Sequence, residues 1–278
     1  SLQKANCRRE VMQMGMKEIR LREMEQYVFD HDTVSMEELS GHFDISMNTV
    51  RSDVAQLVKK GTIRKIYGGV CSNQKNGLIP FDERKTKNAL FKETIGRVAA
   101  GLVKDGDIIY IDSGTTTMYM IDYMESLRGV TILTHSLNVI MRAIPCPNLN
   151  VICLPGTLER ATNSVISLDS VRILEQYNIG KAFMASSGVT VNGTITNSSP
   201  LEFEIKKAAI HSSSKSYLVM DSTKFGKSAL MSYAHLKDMD KVISDENMPP
   251  EFLKLCSQMG VGTLLGKVNE KSNISNEF

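Results

Sequence analysis

The sequence predicts two domains: a small helical unit with a β-hairpin, then an α/β domain built on a parallel sheet. Three observations carry that expectation. Residues 35–61 hold two short amphipathic stretches with cap residues on either side of a tight turn. From about Phe81, short apolar runs alternate with helical patterns, as buried parallel strands alternate with crossover helices. Between them lies Cys71-Ser-Asn-Gln-Lys-Asn-Gly-Leu-Ile-Pro80, a polar stretch containing Gly and Pro. A chain of 278 residues has room for both units.

Composition narrows the function classes. With 42% apolar and 23% charged residues, the chain reads as an ordinary globular protein. Its net charge is +2, so any nucleic-acid surface must be local. No apolar run is long enough to cross a membrane, and Ser1-Leu-Gln-Lys-Ala-Asn-Cys-Arg-Arg9 lacks a signal peptide's apolar core. The expected location is the cytoplasm. Five cysteines and five histidines are dispersed, without paired-Cys or metal-ligand spacing. Neither a metal nor a cofactor is expected. Residues 1–16 and 266–278 are expected to be disordered tails.

Taken in order, a helix is expected from Lys17 to about Phe29, with Ile19, Leu21, Met24, Tyr27 and Val28 on its apolar side. Ser35-Met-Glu-Glu38 is a capping box opening a helix that ends near Phe43. Asp44-Ile45 makes the turn. Asp44 stands where glycine is usual, and Asp tolerates left-handed geometry better than most residues. Ser46 caps a second helix running through Lys60 and closed by Gly61. Two helices across such a turn form a helix-turn-helix. Ser46, Met47, Asn48, Thr49, Arg51 and Ser52 cluster where a recognition helix meets base edges, while Val50, Val54 and Leu57 face the core. Arg51 can donate two bonds to guanine, and Asn48 can pair with adenine. Lys59, Lys60, Arg64 and Lys65 suit phosphates. Ile63-Arg-Lys-Ile-Tyr-Gly-Gly69 reads as the wing of a winged helix. A helical hairpin with a solvated charged face is the other reading of this stretch. Local basicity within 46–65 favours double-stranded DNA. One winged helix binds weakly, so a dimer or tetramer on repeated half-sites is expected.

The domain limits read as 17–71 for DNA binding, 72–88 for a linker and 89–265 for a sensor. Within the sensor, Phe91–Val103 is amphipathic and Asp105-Gly-Asp107 turns into strand 108–111. Further strands are expected at 130–133, 149–154, 182–185, 217–220 and 241–243, with helices at 165–177 and 200–211. Ligands of parallel sheets sit beyond the carboxyl ends of the strands. Those ends carry Asp112-Ser-Gly-Thr-Thr-Thr117, Thr134-His-Ser136, Pro155-Gly156, Ser186-Ser-Gly188 and Asp221-Ser-Thr-Lys224. The loop 112–117 precedes an expected helix at Met118–Met124. It reads either as an anion site, with free N–H groups, Gly114 for close approach and hydroxyls from Ser113, Thr115, Thr116 and Thr117, or as a hydroxyl-rich cap. Five such ends together point to one polar cavity. Lys224 is a phosphate partner or a surface lysine, and Arg160 is a second anion partner. Asp112 and Asp221 can accept sugar hydroxyls. Thr134, Ser136, Gly156 and Gly188 would line the cavity, with His135 at its edge.

The stretches Val34-Ser-Met-Glu-Glu-Leu39, Asn48-Thr-Val-Arg-Ser-Asp53, Ile66-Tyr-Gly-Gly69, Asp112-Ser-Gly-Thr-Thr-Thr117 and Asp221-Ser-Thr-Lys-Phe-Gly226 together resemble the DeoR family of bacterial transcriptional regulators, in family order from about residue 17 to 265. The resemblance implies an N-terminal winged helix and a C-terminal sensor similar to ribose-5-phosphate isomerase. It further implies that a phosphorylated sugar or sugar acid releases a repressor from operator DNA. Asn48-Thr-Val-Arg51, Lys181-Ala-Phe-Met184 with Glu204-Ile-Lys-Lys207, and Lys224-Phe-Gly-Lys-Ser228 are most similar to members that repress myo-inositol catabolism. Ser52 stands where the family usually has Arg, His135 where it has Asn, and Pro155 where it has Gly. A glycine is also common near Ser167. The alternative function is a sugar-phosphate isomerase, for which Asp112, Glu202 and Asp221 are candidate carboxylates by type.

Overall fold

The computed structural model describes residues 17–29, 33–66, 69–72 and 81–268. The chain divides into two compact units, with the boundary between Gly77 and Leu78.

In the first unit, helix α1 covers residues 17–29. Strand β1 (Thr33–Ser35), helices α2 (Met36–Phe43) and α3 (Met47–Lys60), and strands β2 (Ile63–Ile66) and β3 (Gly69–Ser72) follow. The Ser35 hydroxyl caps α2 by accepting from Glu38 N at 3.0 Å. The Glu38 carboxylate accepts from the Tyr27 hydroxyl at 3.0 Å, so the expected capping box is only half formed. Asp44 ends α2 in the left-handed region, at φ 49° and ψ 50°. Met24, Val28, Leu39, Val50, Val54, Leu57, Ile63 and Val70 build the core. Ile19, expected inside, is exposed because it lies off the face carrying Met24 and Val28. The strands pair antiparallel in the order β1-β3-β2. A Cβ on Gly69 would fall 2.3 Å from the Val34 carbonyl oxygen, which is why glycine opens β3.

The second unit begins with helices α4 (Phe81–Thr86) and α5 (Ala89–Ala100), followed by β4 (Ile108–Ile111), β5 (Val130–Thr134), α6 (Leu137–Ala143) and β6 (Leu149–Cys153). The hairpin β7 (Thr157–Glu159) and β8 (Ser164–Ile166), α7 (Asp169–Leu174), β9 (Lys181–Met184), β10 (Gly188–Val189), β11 (Thr194–Asn197) and α8 (Phe203–His211) come next. The chain finishes with β12 (Ser216–Val219), β13 (Met231–His235), β14 (Lys241–Asp245), α9 (Pro250–Gln258) and β15 (Gly262–Gly266). Seven strands form one sheet in the order β15-β14-β12-β9-β4-β5-β6, with every neighbouring pair parallel. Alternation along the strands sends Tyr110, Ala182, Met184 and Leu218 to one buried face and Ile109, Ile111, Phe183 and Val219 to the other. From the centre, β4, β5 and β6 run to one edge. The chain then returns to β9, beside β4, and continues to the other edge. The order of winding reverses between β4 and β9, which is where a doubly wound sheet opens a crevice.

Three expectations need correction, and two elements were not anticipated. Residues 81–88, assigned to a linker, include α4, whose Phe81 is buried and donates its N–H to Ala161 O at 3.0 Å. Residues 117–123 form a short 3-10 helix instead of an α-helix, so no strong helix dipole faces loop 112–117. The small sheet β10-β11-β13 and the hairpin β7-β8 were not anticipated, because two- to five-residue strands leave little periodicity. Of the expected tail 266–278, Gly266 closes β15; residues 269–278, like 1–16, lie outside the described residues. Among the described residues no helix is long and apolar enough to cross a membrane.

Candidate functional site

On the first unit, α3 turns Val50, Val54 and Leu57 inward and leaves Asn48, Arg51, Ser52 and Lys59 exposed. Arg51 and Lys65 line one groove of about 340 Å³ with Met36, Glu37, Met47, Ile66 and Gly69. The Arg51 guanidinium and the Lys65 ammonium thus share one concave surface between α3 and the hairpin. Arg64 is also exposed on β2. Ser46 serves as a cap: its hydroxyl accepts from Thr49 N at 3.3 Å and bonds the Thr49 hydroxyl at 2.9 Å, so both residues set the helix start. Lys60, expected on phosphate, bonds both Glu25 carboxylate oxygens at 3.0 and 2.9 Å. Asp53, a buried carboxylate in the core stripe of α3, accepts from Arg20 Nε at 2.8 Å and ties α3 to α1.

On the second unit, the switch between β4 and β9 is closed by side chains. Asp112 Oδ2 accepts from Ala185 N at 2.8 Å, and Lys206 of α8 donates to the same oxygen. Lys206 also donates to Ala185 O at 3.1 Å, and its ammonium lies 5.4 Å from the centre of the Tyr233 ring. Beside this pair, Glu202 accepts from the hydroxyls of Ser113 (2.6 Å) and Ser164 (3.3 Å) and from Asn197 Nδ2 (3.1 Å). Burial opposes ionisation of Glu202, but His135, Lys206 and the Ser113 hydroxyl outweigh it and hold the carboxyl below the ordinary range. Burial, with Asp112 and Glu202 nearby, pushes the Tyr110 and Tyr233 phenols well up. Asp112, His135, Glu202 and Lys206 are all buried.

Next to this floor stands a group of cations. Lys92 of α5 is buried and donates from Nζ to Arg84 O. Burial pulls its ammonium down to about 8; Asp221 opposes that, and Lys224, Arg84 and Lys87 add to it. Burial likewise lowers Lys224, against Asp221 and with Arg84, Lys227 and Lys87. Burial lowers Arg84 too, opposed by Glu202. Lys92, Lys224 and Arg84 thus lie near one another, with Asp221 as the carboxylate beside both lysines.

The expected effector residues divide into two groups. Asp112, Ser113, His135, Asp221 and Lys224 lie in these two clusters. Thr115 and Thr116 follow Ser113 in the same loop, and both are buried. Others are already engaged within the fold. Thr117 Oγ1 donates to Asp112 O at 2.8 Å and accepts from Gly114 N at 3.1 Å. Thr134 Oγ1 donates to Ile111 O at 2.7 Å, and the Ser136 hydroxyl caps α6 by accepting from Val139 N at 3.4 Å. A Cβ on Gly114 would meet Ala185 Cβ at 2.6 Å, so close packing requires this glycine. Gly156, at φ 145°, backs onto Ile166, and Gly188 onto Lys227 O. Arg160 is exposed after β7. Arg84, Lys92, Asn197, Lys206 and Tyr233 were not anticipated. A signal existed for two of them. Lys92 shares the buried stripe of α5 with Ile95, Gly96 and Ala99, and Lys206 that of α8 with Ile205 and Ala209. A charge on a core stripe needs a partner.

A helix-turn-helix with a hairpin on one unit and a parallel α/β sheet with a buried charged cluster on the other are the parts of a DNA-binding regulator with a ligand sensor. A DeoR-like helix-turn-helix domain matches residues 20–76, and a DeoR C terminal sensor domain matches residues 87–246. The HTH-type transcriptional regulator IolR of Bacillus subtilis is 39% identical over 247 residues, covering 89% of this chain and 98% of that protein. The glycerol-3-phosphate regulon repressor of Escherichia coli is 26% identical, covering 80% and 88%. A ribose 5-phosphate isomerase structure from Methanocaldococcus jannaschii matches 50% of this chain and 55% of its own at 18% identity, with a loose TM-score of 0.36. The chain belongs to the DeoR family of transcriptional regulators.

Proposed function

We propose that this regulator represses a carbohydrate-catabolic operon and leaves its operator when a phosphorylated sugar or sugar acid binds the second unit. The observation that carries the reading is the cation group of Lys92, Lys224 and Arg84 next to the hydroxyl-binding floor of Asp112, Glu202 and Lys206. One end suits a phosphate and the other a polyol. Thr115 and Thr116 supply hydroxyls between them. A relative named as a repressor of the glycerol-3-phosphate regulon supports both the sign and the ligand class. The three segments similar to regulators of myo-inositol catabolism nominate a phosphorylated keto-sugar acid from inositol breakdown as the first ligand to test. Release requires the ligand to prefer the low-affinity arrangement of the protein, and DNA must weaken ligand binding in return. The protein acts as a homo-oligomer in the cytoplasm, where the operator is.

An enzymatic role is disfavoured by the same geometry. An isomerase needs a carboxylate free to shuttle a proton. Asp112 is held by Lys206 and Ala185 N, Glu202 by two hydroxyls and an amide, and Asp221 by Thr223 N and the Asn88 amide. The test is release of the full-length protein from a duplex it selects out of a random library. A phosphorylated ligand should release it at concentrations at which the unphosphorylated compound does nothing. Equal potency of the two forms would rule out the phosphate site, and turnover of a pentose or hexose phosphate would rule out the regulator-only reading.

A further inference from the structure

We infer that His135 selects for a ligand hydroxyl, on the end of the effector away from its phosphate. The inference rests on the crevice being the effector site. His135 follows β5 and is fully enclosed. Its Nδ1 lies 2.9 Å from the Tyr110 hydroxyl, and the two rings are nearly parallel. Its Nε2 faces Asp112 Oδ1 at 3.8 Å and Glu202 Oε1 at 3.7 Å. Both distances are too long for a hydrogen bond. Nε2 has no hydrogen-bond partner among the described residues.

The surroundings place a proton on Nε2. A lone pair there, aimed at two carboxylates, would be repelled. On the other side of the ring, Nδ1 bonds the Tyr110 hydroxyl, which also reaches Asp112 Oδ1 at 3.5 Å. An enclosed N–H without an acceptor is as unfavourable as a lost hydrogen bond. Three kinds of atom could complete it. A carbonyl or carboxylate oxygen accepts from Nε2 but brings no proton to the carboxylates beside it. An ammonium serves the carboxylates but cannot accept. A hydroxyl does both: it accepts from Nε2 and donates to Glu202 or Asp112. With Nε2 and Oε1 3.7 Å apart, one oxygen about 2.8 Å from each completes the triangle. A metal ion is not an alternative, because no set of three His, Cys, Asp or Glu among the described residues is placed to hold one. The ligand class is a phosphorylated sugar or sugar acid that presents a hydroxyl, and not its carboxylate or a bare methylene, to Nε2.

The full-length protein is titrated calorimetrically with inorganic phosphate, with ribose 5-phosphate against 2-deoxyribose 5-phosphate, and with glucose 6-phosphate against 2-deoxyglucose 6-phosphate. The hydroxylated member of at least one pair should bind about tenfold more tightly. His135→Asn places an amide where Nδ1 was and has nothing at Nε2. It should reduce that ratio below about threefold while leaving inorganic phosphate unaffected. His135→Gln, whose amide reaches the Nε2 position, should keep most of the ratio. Equal binding within both pairs, with phosphate still bound, overturns the inference and leaves Nε2 to a buried water only. A ratio that persists in His135→Asn, or one lost equally in both variants, also overturns it. If neither phosphate nor any sugar phosphate binds the wild type, the effector-site reading falls with it.

Discussion

Raising the pH from 7 to 9.5 should weaken anion binding and at the same time relieve a destabilising charge, with Lys92 responsible for both. Burial pulls this ammonium down to about 8, against roughly 10.4 in an unfolded chain. Between those two values the unfolded chain binds more protons than the folded one. The contribution of Lys92 to stability therefore rises with pH across that window. Binding runs the other way, because the anion needs the charge. At pH 9 about one Lys92 in ten is protonated, so affinity should fall about tenfold per pH unit above 8. Lys224 is lowered in the same direction and would steepen the slope. With a sugar phosphate in place of inorganic phosphate, the second ionisation of the monoester, at about 6, would set an acid limb. The assay is calorimetric titration with inorganic phosphate from pH 6.5 to 9.5 at fixed ionic strength, beside thermal unfolding of the same samples. Lys92→Met should lower affinity at pH 7 and make the alkaline slope shallower by one. It should also remove the alkaline rise in stability relative to wild type. A wild-type affinity that is flat from pH 7.5 to 9.5, or a slope that survives Lys92→Met, would refute the reasoning.

On DNA, Arg51→Ala should cost roughly 1–3 kcal/mol and relax base preference. Lys65→Ala should reduce the salt slope by about one, whereas Lys60→Ala should leave it unchanged because Glu25 already holds that ammonium; equal slopes in a salt series of filter-binding curves would contradict this geometry. Lys206→Met leaves Asp112 buried without its counter-charge and should lower stability by about 3–5 kcal/mol in urea unfolding at pH 7. Adding Asp112→Asn should cost less than the two changes summed, and strict additivity would dissolve the pair. Thr116→Val should raise the ligand concentration needed for DNA release by about tenfold with stability unchanged. Thr117→Val should instead lower the unfolding midpoint, because it removes bonds to Asp112 O and Gly114 N.

Local chemistry made much of the fold legible. Ser35, Asp44, Ser46 and Gly61 mark helix ends through their own side chains or backbone preferences, and all four do so in the structure. The parallel strands were visible as apolar runs because both faces of the sheet are covered. The helix α4 was not visible. Phe-Asp-Glu-Arg-Lys-Thr has one apolar anchor, Phe81, and one anchor has no period. The loop ends were found, but which hydroxyls remain available was not, because a threonine that braces a turn and one that faces a ligand look alike in sequence. Thr116 and Thr117 are the case in point. The Asp112–Lys206 pair spans 94 residues, and no local pattern reports a contact at that separation. What sequence did offer was an anomaly, a lysine on an apolar stripe, whose partner only the folded sheet supplies.

The linked charges at the centre of the sheet also limit how this sensor can diverge. Asp112, Lys206 and Glu202 lean on one another, and replacing any one of them strands a buried charge. Descendants that change ligand by single steps would pass through poorly folded intermediates if they began there. The accessible steps lie outside that linked set, at the buried hydroxyls of Thr115 and Thr116 and in the exposed turn around Arg160. A lineage can thus exchange one sugar for another while its innermost residues stay fixed, and selection would write new preferences around the rim of the crevice.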